Sequence, residues 1–226
     1  MIVQVDQEIY DRLNQQLKDI PEKIPSVLRK SINNAARYGQ KNMARHVKDN
    51  YAFKFAVKRI NSASEFESAK GKNFQATITI SGKPEPLMNF HVKKNGKKIS
   101  ARANVLKTSE LKDLTLKGGD EGGKDLKAFV VKIKNTDRNG NESHHVGIFR
   151  RMTPEERGEQ QKRYDKQAKI GKQKKSSKRN AIKQLYSTSV PQMVKNDKVY
   201  PQIESDIKEK LRESLDKHIA KVMEGL

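Results

Sequence analysis

Lysine and arginine are the residues of this 226-residue chain whose type and spacing point most directly to chemistry. Of the formal net charge of +21, residues 157–179 carry +8 and residues 93–107 carry +6. Ammonium and guanidinium groups concentrated in this way neutralise phosphates or acidic protein surfaces. The candidate residues for binding DNA or an acidic partner are Lys162, Arg163, Lys166, Lys169, Lys172, Lys174, Lys175, Lys178, Arg179, Lys93, Lys94, Lys97 and Lys98.

The partner of these basic segments is left open by the sequence, and DNA, an acidic protein and solvent are the three alternatives. Tyr164 is the only aromatic residue in the segment 157–179, so stacking on nucleic-acid bases is not expected. The basic residues around Asn95-Gly96 are interpreted as a solvated hairpin loop, with a loop facing DNA as the alternative.

Catalytic and metal-binding patterns are not found. His144 and His145 are neighbours, and neighbouring strand residues point to opposite faces, so one ion cannot bind both without a bulge. The glycine pairs at 118–119 and 122–123 lack the strand, Lys-Ser/Thr and helix order of a phosphate-binding loop. A nuclease would need clustered carboxylates to hold Mg²⁺, and the acids fall on predicted helix exteriors or in loops. We therefore expect no catalytic residue, no metal and no cofactor; a nucleic-acid hydrolase is the most distant alternative.

Composition limits the fold and the location. Only 34% of residues are hydrophobic and 33% are charged, so the core should be thin for the length, and neighbouring subunits often complete such cores. Cysteine is absent, which excludes disulfides and thiolate metal sites. The first residues lack a secretory signal pattern, and no apolar run approaches the length of a membrane span. A soluble protein made in a cytosol, without membrane contact, is expected.

The N-terminal segment predicts a helical hairpin. A first helix is expected from about Asp6 to Lys18, and a second from Pro25 to about Lys48. The stripe of the second helix contains small residues in its middle, which would let another element approach closely. This stripe is Leu28, Ile32, Ala35, Gly39, Met43 and Val47.

The middle of the chain changes to a period of two, which predicts strands joined by hairpins and therefore a mainly antiparallel sheet. Alternation marks one strand at 74–80, which Ser81-Gly82 ends and which Pro84-Glu85-Pro86 prevents from continuing. A pair of strands, at about 88–93 and 99–105, flanks Asn95-Gly96. A further hairpin is expected from 128–134 and 143–150.

The C-terminal third predicts a basic segment followed by a docking element. Residues 151–179 show almost no apolar periodicity, so a marginal solvated helix or disorder is expected. A strand at 181–186 leads through Val190-Pro191-Gln192-Met193 into an amphipathic helix. The fold class is therefore predicted as α+β, with a domain at 1–150, a basic insertion or linker at 151–179, and a strand and helix at 180–226 that complete the same domain. The apolar stripe of this helix is Val199, Ile203, Ile207, Leu211, Leu215, Ile219, Val222 and Leu226.

Four segments occur in one order: Asn33-Asn34-Ala35-Ala36; Ser81-Gly82 followed by Pro86-Leu87 and Phe90; His145-Val146-Gly147-Ile148-Phe149-Arg150-Arg151; and Ile182-Lys183-Gln184-Leu185-Tyr186 with Val190-Pro191-Gln192-Met193 before the terminal helix. In this order they resemble the phage minor tail protein Z family, the prophage tail-completion proteins. The last segment is the most specific part of the resemblance. The chain departs from the family where Ser187-Thr188-Ser189 replaces Gly-Pro-Ser, and the basic stretch 151–179 looks like an insertion.

The resemblance implies a non-enzymatic structural protein that completes the head-proximal end of a phage tail, assembled in the cytoplasm of a bacterial host. A homo-oligomeric ring, hexameric to match the tail tube, would contact the tube or tail terminator and neck proteins, with DNA as a further partner in the lumen. A free protein that binds nucleic acid without sequence preference is the second hypothesis. The candidate subunit interface follows an exposed strand end and consists of Leu185, Tyr186, Val190, Pro191 and Met193.

Overall fold

The computed structural model describes residues 1–94, 101–136, 140–169 and 181–224, which form an α+β fold as predicted. The helices are α1 (Gln7–Gln16), α2 (Ile24–Asn50), α3 (Ala56–Ala63), α4 (Pro154–Lys169), α5 (Val190–Val194) and α6 (Tyr200–Met223). The strands are β1 (Ile2–Gln4), β2 (Ser64–Glu67), β3 (Gln75–Ile80), β4 (Pro84–Pro86), β5 (His91–Lys94), β6 (Ala101–Asn104), β7 (Lys112–Asp113), β8 (Thr115–Leu116), β9 (Leu126–Lys127), β10 (Phe129–Thr136), β11 (Glu142–Arg151), β12 (Ile182–Gln184) and β13 (Tyr186–Ser189).

The chain forms two compact units. Unit 1 contains Met1–Tyr51, Phe55–Lys83 and Thr188–Leu226, whereas unit 2 contains Ala52–Lys54 and Pro84–Ser187. These boundaries differ from the predicted ones at residues 150 and 179, and the assignment of residues 1–150 and 180–226 to one domain stays a prediction.

A side-chain cap and a proline explain where the two N-terminal helices of unit 1 begin. The Asp6 carboxylate caps α1, accepting a hydrogen bond of 2.9 Å from the backbone N–H of Ile9. Leu13 and Leu17 are buried, and Pro25 occupies the first turn of α2. The two predicted helices are therefore confirmed, within two residues at each boundary.

Helices α2 and α6 pack closely and form the centre of unit 1. The predicted stripe of α2 is buried, as are Ile203, Ile207 and Leu211 of α6. A Cβ atom placed on Gly39 would lie 2.5 Å from Cδ1 of Ile207, well inside van der Waals contact. The missing side chain at Gly39 therefore sets how closely the helices approach, as its place in the stripe predicts.

A three-stranded antiparallel sheet with β3 in the centre completes unit 1. β1 pairs with β3 through Ile2 opposite Thr77, and β2 pairs with its other edge through Phe66 opposite Ile78. Alternation buries Val3, Ala76 and Ile78 on one face and leaves Glu65, Glu67 and Ile2 exposed on the other.

Unit 2 is built from antiparallel hairpins. β10 pairs with β11 from Phe129 opposite Phe149 to Thr136 opposite Glu142, and β12 adds to β11 at Phe149–Arg151. β5 pairs with β6, β6 with β7, and β8 with β9. The strand predicted at 88–93 begins later, at His91, because Leu87–Asn89 forms a 3₁₀ turn. The predicted turn at Asn95-Gly96 lies outside the described residues.

The remaining elements are a helix in the basic segment 151–179 and a short strand at residues 84–86. The segment 151–179 contains α4, and its residues from 170 onward lie outside the described part of the chain. Residues 84–86, which in the sequence prediction prevent the preceding strand from continuing, form the separate short strand β4, and β4 pairs with β13. Among the described residues, none of the helices combines the length and the apolar character needed to cross a bilayer.

Candidate polyanion and docking surfaces

The basic face of α4 carries three of the predicted polyanion-binding residues. Lys162, Arg163 and Lys166 are exposed, and their spacing of three and four residues places them on neighbouring positions of one helix. Lys93, on β5, is exposed as well. The side chains of Lys94 and Lys169, and the residues Lys97, Lys98, Lys172, Lys174, Lys175, Lys178 and Arg179, lie outside what the structure describes.

The start of α4 is fixed to the sheet of unit 2 by a carboxylate. The Glu156 side chain accepts hydrogen bonds from the Thr153 backbone N–H (3.1 Å) and from Arg150 (2.6 and 2.7 Å), and it pairs with Lys183 at 2.8 Å. In return, the Thr153 hydroxyl accepts from the Glu156 backbone N–H. The Arg150 guanidinium is the main cause that lowers the pKa of Glu156 from 4.5 to about 2. The Thr-x-x-Glu spacing is a capping box, a sequence signal that could have located this helix start.

Not every base in the segment 157–179 is free to bind a polyanion. Arg157 pairs at 2.7 Å with Glu121, which lies in the glycine-containing loop between β8 and β9. In this loop the Asp120 carboxylate accepts hydrogen bonds from the backbone N–H groups of Gly122 and Lys124. The loop is therefore folded around Asp120, and it places Glu121 where it neutralises the first base of the segment.

Unit 1 contains an apolar cleft of about 560 Å³. It lies beside the end of β3 and the helices α5 and α6, and it includes the backbone turn that joins those helices. Its lining residues are Met1, Ile78, Ile80, Pro191, Val194, Lys195, Asp197, Tyr200 and Pro201. Pro191, one of the predicted interface residues, is therefore on an accessible apolar surface.

The prediction of a subunit interface is wrong for two of its five residues, Val190 and Met193. Val190 and Met193 are 2% and 0% exposed, so they belong to the core. The reason is that Val190-Pro191-Gln192-Met193 is helical: Ser189 and Gln192 form a capping box at the start of α5. Helical spacing of three and four residues then turns Val190, Met193 and Val194 inward together.

Leu185 and Tyr186 have different environments. The backbone N–H of Leu185 donates to the carbonyl of Ile148, and its carbonyl accepts from the N–H of Leu87, so Leu185 joins β11 to the 3₁₀ turn Leu87–Asn89 within unit 2. Tyr186 is exposed. Tyr186 is thus the most exposed of the predicted interface residues, and Leu185 and Pro191 are half-buried.

Sequence reasoning missed two histidines between α2 and α6, the buried His46 and the half-buried His218. Nε2 of His46 lies 2.8 Å from Oδ2 of Asp206, and its Nδ1 lies 2.9 Å from Oε1 of Gln202. At the other end of the helix pair, Nδ1 of His218 lies 3.0 Å from the hydroxyl of Ser31. Burial is the main cause that lowers the pKa of His218. The only sequence signal for the burial of His46 is its position directly before Val47, the last residue of the apolar stripe of α2.

The adjacent His144 and His145 lie on opposite faces of β11, where they face Lys134 and Ile133 of β10. Within the described ranges, no group of three or more histidine, aspartate or glutamate side chains is arranged to hold a metal ion. In the part of the chain that the structure describes, the features accessible to a partner are the basic face of α4, the apolar cleft and the strand edges.

Comparison of the chain with family models, curated proteins and solved structures finds no similar protein.

Proposed function

We propose that this chain is a structural assembly protein of a phage or prophage tail, which completes the head-proximal end of the tail without catalysing a reaction. The observation that carries the proposal is the course of the chain from β13 through α5 into α6. This is the segment in which the sequence resembles the tail-completion proteins most specifically. It forms one docking scaffold: a strand, a capped helical turn with Pro191, and a helix anchored along its length on α2.

The proposed mechanism is geometric. Unit 1 provides a rigid body, because α6 is held on α2 by apolar packing and by buried polar contacts. Copies of the chain form a ring, hexameric to match the tail tube, that contacts the tube or tail terminator on one side and neck proteins on the other. The basic face of α4 is directed to DNA in the lumen or to an acidic partner protein.

Mass spectrometry of purified phage or induced prophage particles tests this function. We expect the polypeptide in intact particles, and cryo-electron microscopy should locate it between tail tube and neck. Disruption of its gene should leave heads and tails that do not join productively. Intact, infectious particles that contain none of this polypeptide would overturn the proposal.

The exposed lysines of α4 favour one alternative, a free protein that binds nucleic acid without sequence preference. Such a protein would bind DNA as a monomer, and its affinity would fall steeply with salt because each phosphate contact releases counterions. Fluorescence anisotropy with DNA at several salt concentrations measures this slope. Tight binding by a monomer that is absent from particles would support the alternative over the tail function.

A further inference from the structure

Two polar residues of α2, one helical turn apart, hold the connection between β2 and β3. Asn33 forms two hydrogen bonds with the backbone of Ala69, accepting from its N–H at 2.8 Å and donating to its carbonyl at 3.2 Å. Arg29 donates to the carbonyl of Gly71 at 2.6 Å. Because residues four apart lie on one face of a helix, the two side chains act on the connection together.

The held connection contains a tight turn, Lys70-Gly71-Lys72-Asn73, which we name the basic turn. The N–H of Asn73 donates to the carbonyl of Lys70 at 2.9 Å. Gly71 has a φ of +55°, in the left-handed region that favours glycine. The turn is exposed, yet three hydrogen bonds from α2 side chains fix the backbone before and within it. A surface turn held in this way is preorganised for a partner, because little conformational freedom is lost on binding.

The basic turn carries cations that lack carboxylate partners. Lys70 and Lys72 are exposed, and the guanidinium of Arg29 lies at the carbonyl of Gly71, the residue between them. Within the described residues, none of these three cations forms an ion pair. Cations that are held together without internal compensation attract an anionic partner.

An open groove of about 420 Å³ borders the basic turn, because Asn73 belongs to both. The groove lies where β1 leads into α1 and where β3 begins, next to the Gln4–Gln75 pair of the β1–β3 ladder. Four amide side chains line it beside the half-exposed ring of Tyr10. These amides belong to Gln4, Gln7, Asn73 and Gln75.

The chemistry of the groove favours a peptide over a nucleic acid. A peptide backbone presents N–H and C=O groups in alternation, and an amide side chain offers the matching acceptor and donor. Phosphate oxygens only accept hydrogen bonds, so they would leave the amide oxygens without partners. Asp6 also lines the groove, and its carboxylate accepts the capping hydrogen bond of α1. Carboxylates of a ligand therefore belong at the basic turn, away from Asp6.

We propose that the groove and the basic turn form a docking site for an acidic, extended segment of a partner protein. The backbone of that segment lies along the amides, and its carboxylates pair with Arg29, Lys70 and Lys72. In the proposed tail function the partner is a neighbouring tail or neck protein, and the inference rests on that function only for this identity.

Fluorescence anisotropy of the full chain with a fluorescein-labelled peptide of alternating glutamate and serine tests the site. Lys70→Glu/Lys72→Glu should lower the affinity for this peptide roughly tenfold. Lys41→Glu/Lys48→Glu is the matched control, because it reverses two exposed charges on α2 that lie about 18 Å or more along the helix from Arg29. The control should lower the affinity less than about threefold. Equal losses would show that net charge attracts the peptide and would overturn the site.

Asn33→Ala separates positioning from charge. The substitution releases Ala69 but leaves the net charge unchanged, so the affinity for the peptide should fall about threefold while its dependence on salt stays the same. Circular dichroism confirms that the variant folds. An unchanged affinity would show that Asn33 does not prepare the basic turn for binding, and the preorganised site would be overturned.

Photocrosslinking locates the bound peptide, because the chain contains no cysteine of its own. Tyr10→Cys and Tyr38→Cys, at positions that are 37% and 38% exposed, each carry a benzophenone. The label at position 10 should capture the peptide, whereas the label at position 38, on α2, should not capture it above background. Equal capture, or displacement of the peptide from position 10 by a DNA duplex at equal concentration, overturns the inference.

Failure of the docking site and failure of the tail function are distinguishable. A chain that does not bind the acidic peptide overturns the docking site even if the polypeptide is found in particles. Absence of the polypeptide from particles overturns the tail function and leaves a measured peptide contact intact.

Discussion

The Nε2 atom of His46 on α2 lies 2.8 Å from Oδ2 of Asp206 on α6, across the interface between these helices. The same carboxylate oxygen pairs with Arg45 at 2.9 Å. Further along the interface, His218 of α6 contacts the buried hydroxyl of Ser31. Two polar contacts therefore flank the apolar centre of the helix pair. Because each buried polar group needs a specific partner, these contacts fix the register of α6 on α2.

Replacement of Asp206 by alanine should destabilise unit 1 by about 1–3 kcal/mol. The substitution leaves the buried His46 ring without its carboxylate partner, and a buried polar group without a partner costs free energy in this range. Asp216→Ala is the matched control, because the Asp216 pair with Arg12 is exposed and should contribute less than about 1 kcal/mol. Urea unfolding curves measure both values, and equal losses of stability would contradict the role given to His46.

Gly39→Ala should lower the free energy of unfolding by about 1–3 kcal/mol. Alanine normally favours a helix over glycine by about 1 kcal/mol. At this position, however, the new methyl group would meet Cδ1 of Ile207 at 2.5 Å inside the packed interface, and overpacking of this kind costs more than the helix gains.

Gly158→Ala on α4 serves as the control for this change, since nothing lies within 4 Å of the added carbon, and it should be neutral or stabilising by up to about 1 kcal/mol. A second test is the double variant Gly39→Ala/Ile207→Ala, in which the clash is removed. A favourable coupling energy in that double-mutant cycle is expected; additive effects would show that Ile207 is not the obstacle.

Apolar periodicity predicted α1, α2 and α6 and, of the thirteen strands in the described residues, β3, β5, β6, β10, β11 and β12, because each of these is encoded by neighbouring residues. The stripe from Leu28 to Val47 and the alternation of Ala76 with Ile78 required no knowledge of the fold. The pairing of His46 with Asp206 was not predictable in this way, since the two residues lie 160 positions apart and the register of α6 on α2 decides it. The prediction for Met193 was wrong because an apolar residue after a strand end is exposed or buried depending on whether the chain turns into a helix there.

Acid should weaken unit 2 through Glu156. The pKa of this carboxyl is lowered in the folded chain from 4.5 to about 2, chiefly by hydrogen bonds from Arg150. A lowered pKa of an acid stabilises the fold above the unfolded value, and the contribution is lost as pH falls from about 4.5 towards 2. Because solvent screens this partly exposed carboxyl, we expect the loss to be on the order of 1–2 kcal/mol.

Glu156→Gln removes the titrating group while keeping its shape, so its unfolding free energy should depend less on pH between 4.5 and 2 than that of the unmodified chain. Urea unfolding at a series of pH values measures the difference. Glu155→Gln, one residue earlier on an exposed position, is the control and should keep the original acid dependence. The assignment fails if both variants titrate alike.

Mild acid should also weaken the α2–α6 interface through His218. Its pKa is lowered from 6.5, mainly by burial, so the folded chain favours the neutral ring. The unfolded chain binds the proton more readily, and stability therefore falls as pH decreases from about 6.5 through the lower folded pKa. A histidine resonance assigned by comparison with His218→Gln should titrate below 6.5; titration above that value would contradict the burial argument.

Reversal of charge on the basic face of α4 should weaken binding to DNA. The triple variant Lys162→Glu, Arg163→Glu and Lys166→Glu removes three exposed cations, and the slope of log affinity against log salt should become shallower by roughly 0.9 for each phosphate that the helix no longer neutralises. The matched control reverses three exposed lysines of α2, Lys30, Lys41 and Lys48, with the same change in net charge. Fluorescence anisotropy on a short duplex compares the two, and an equal weakening would show that net charge, rather than the face of α4, attracts the polyanion.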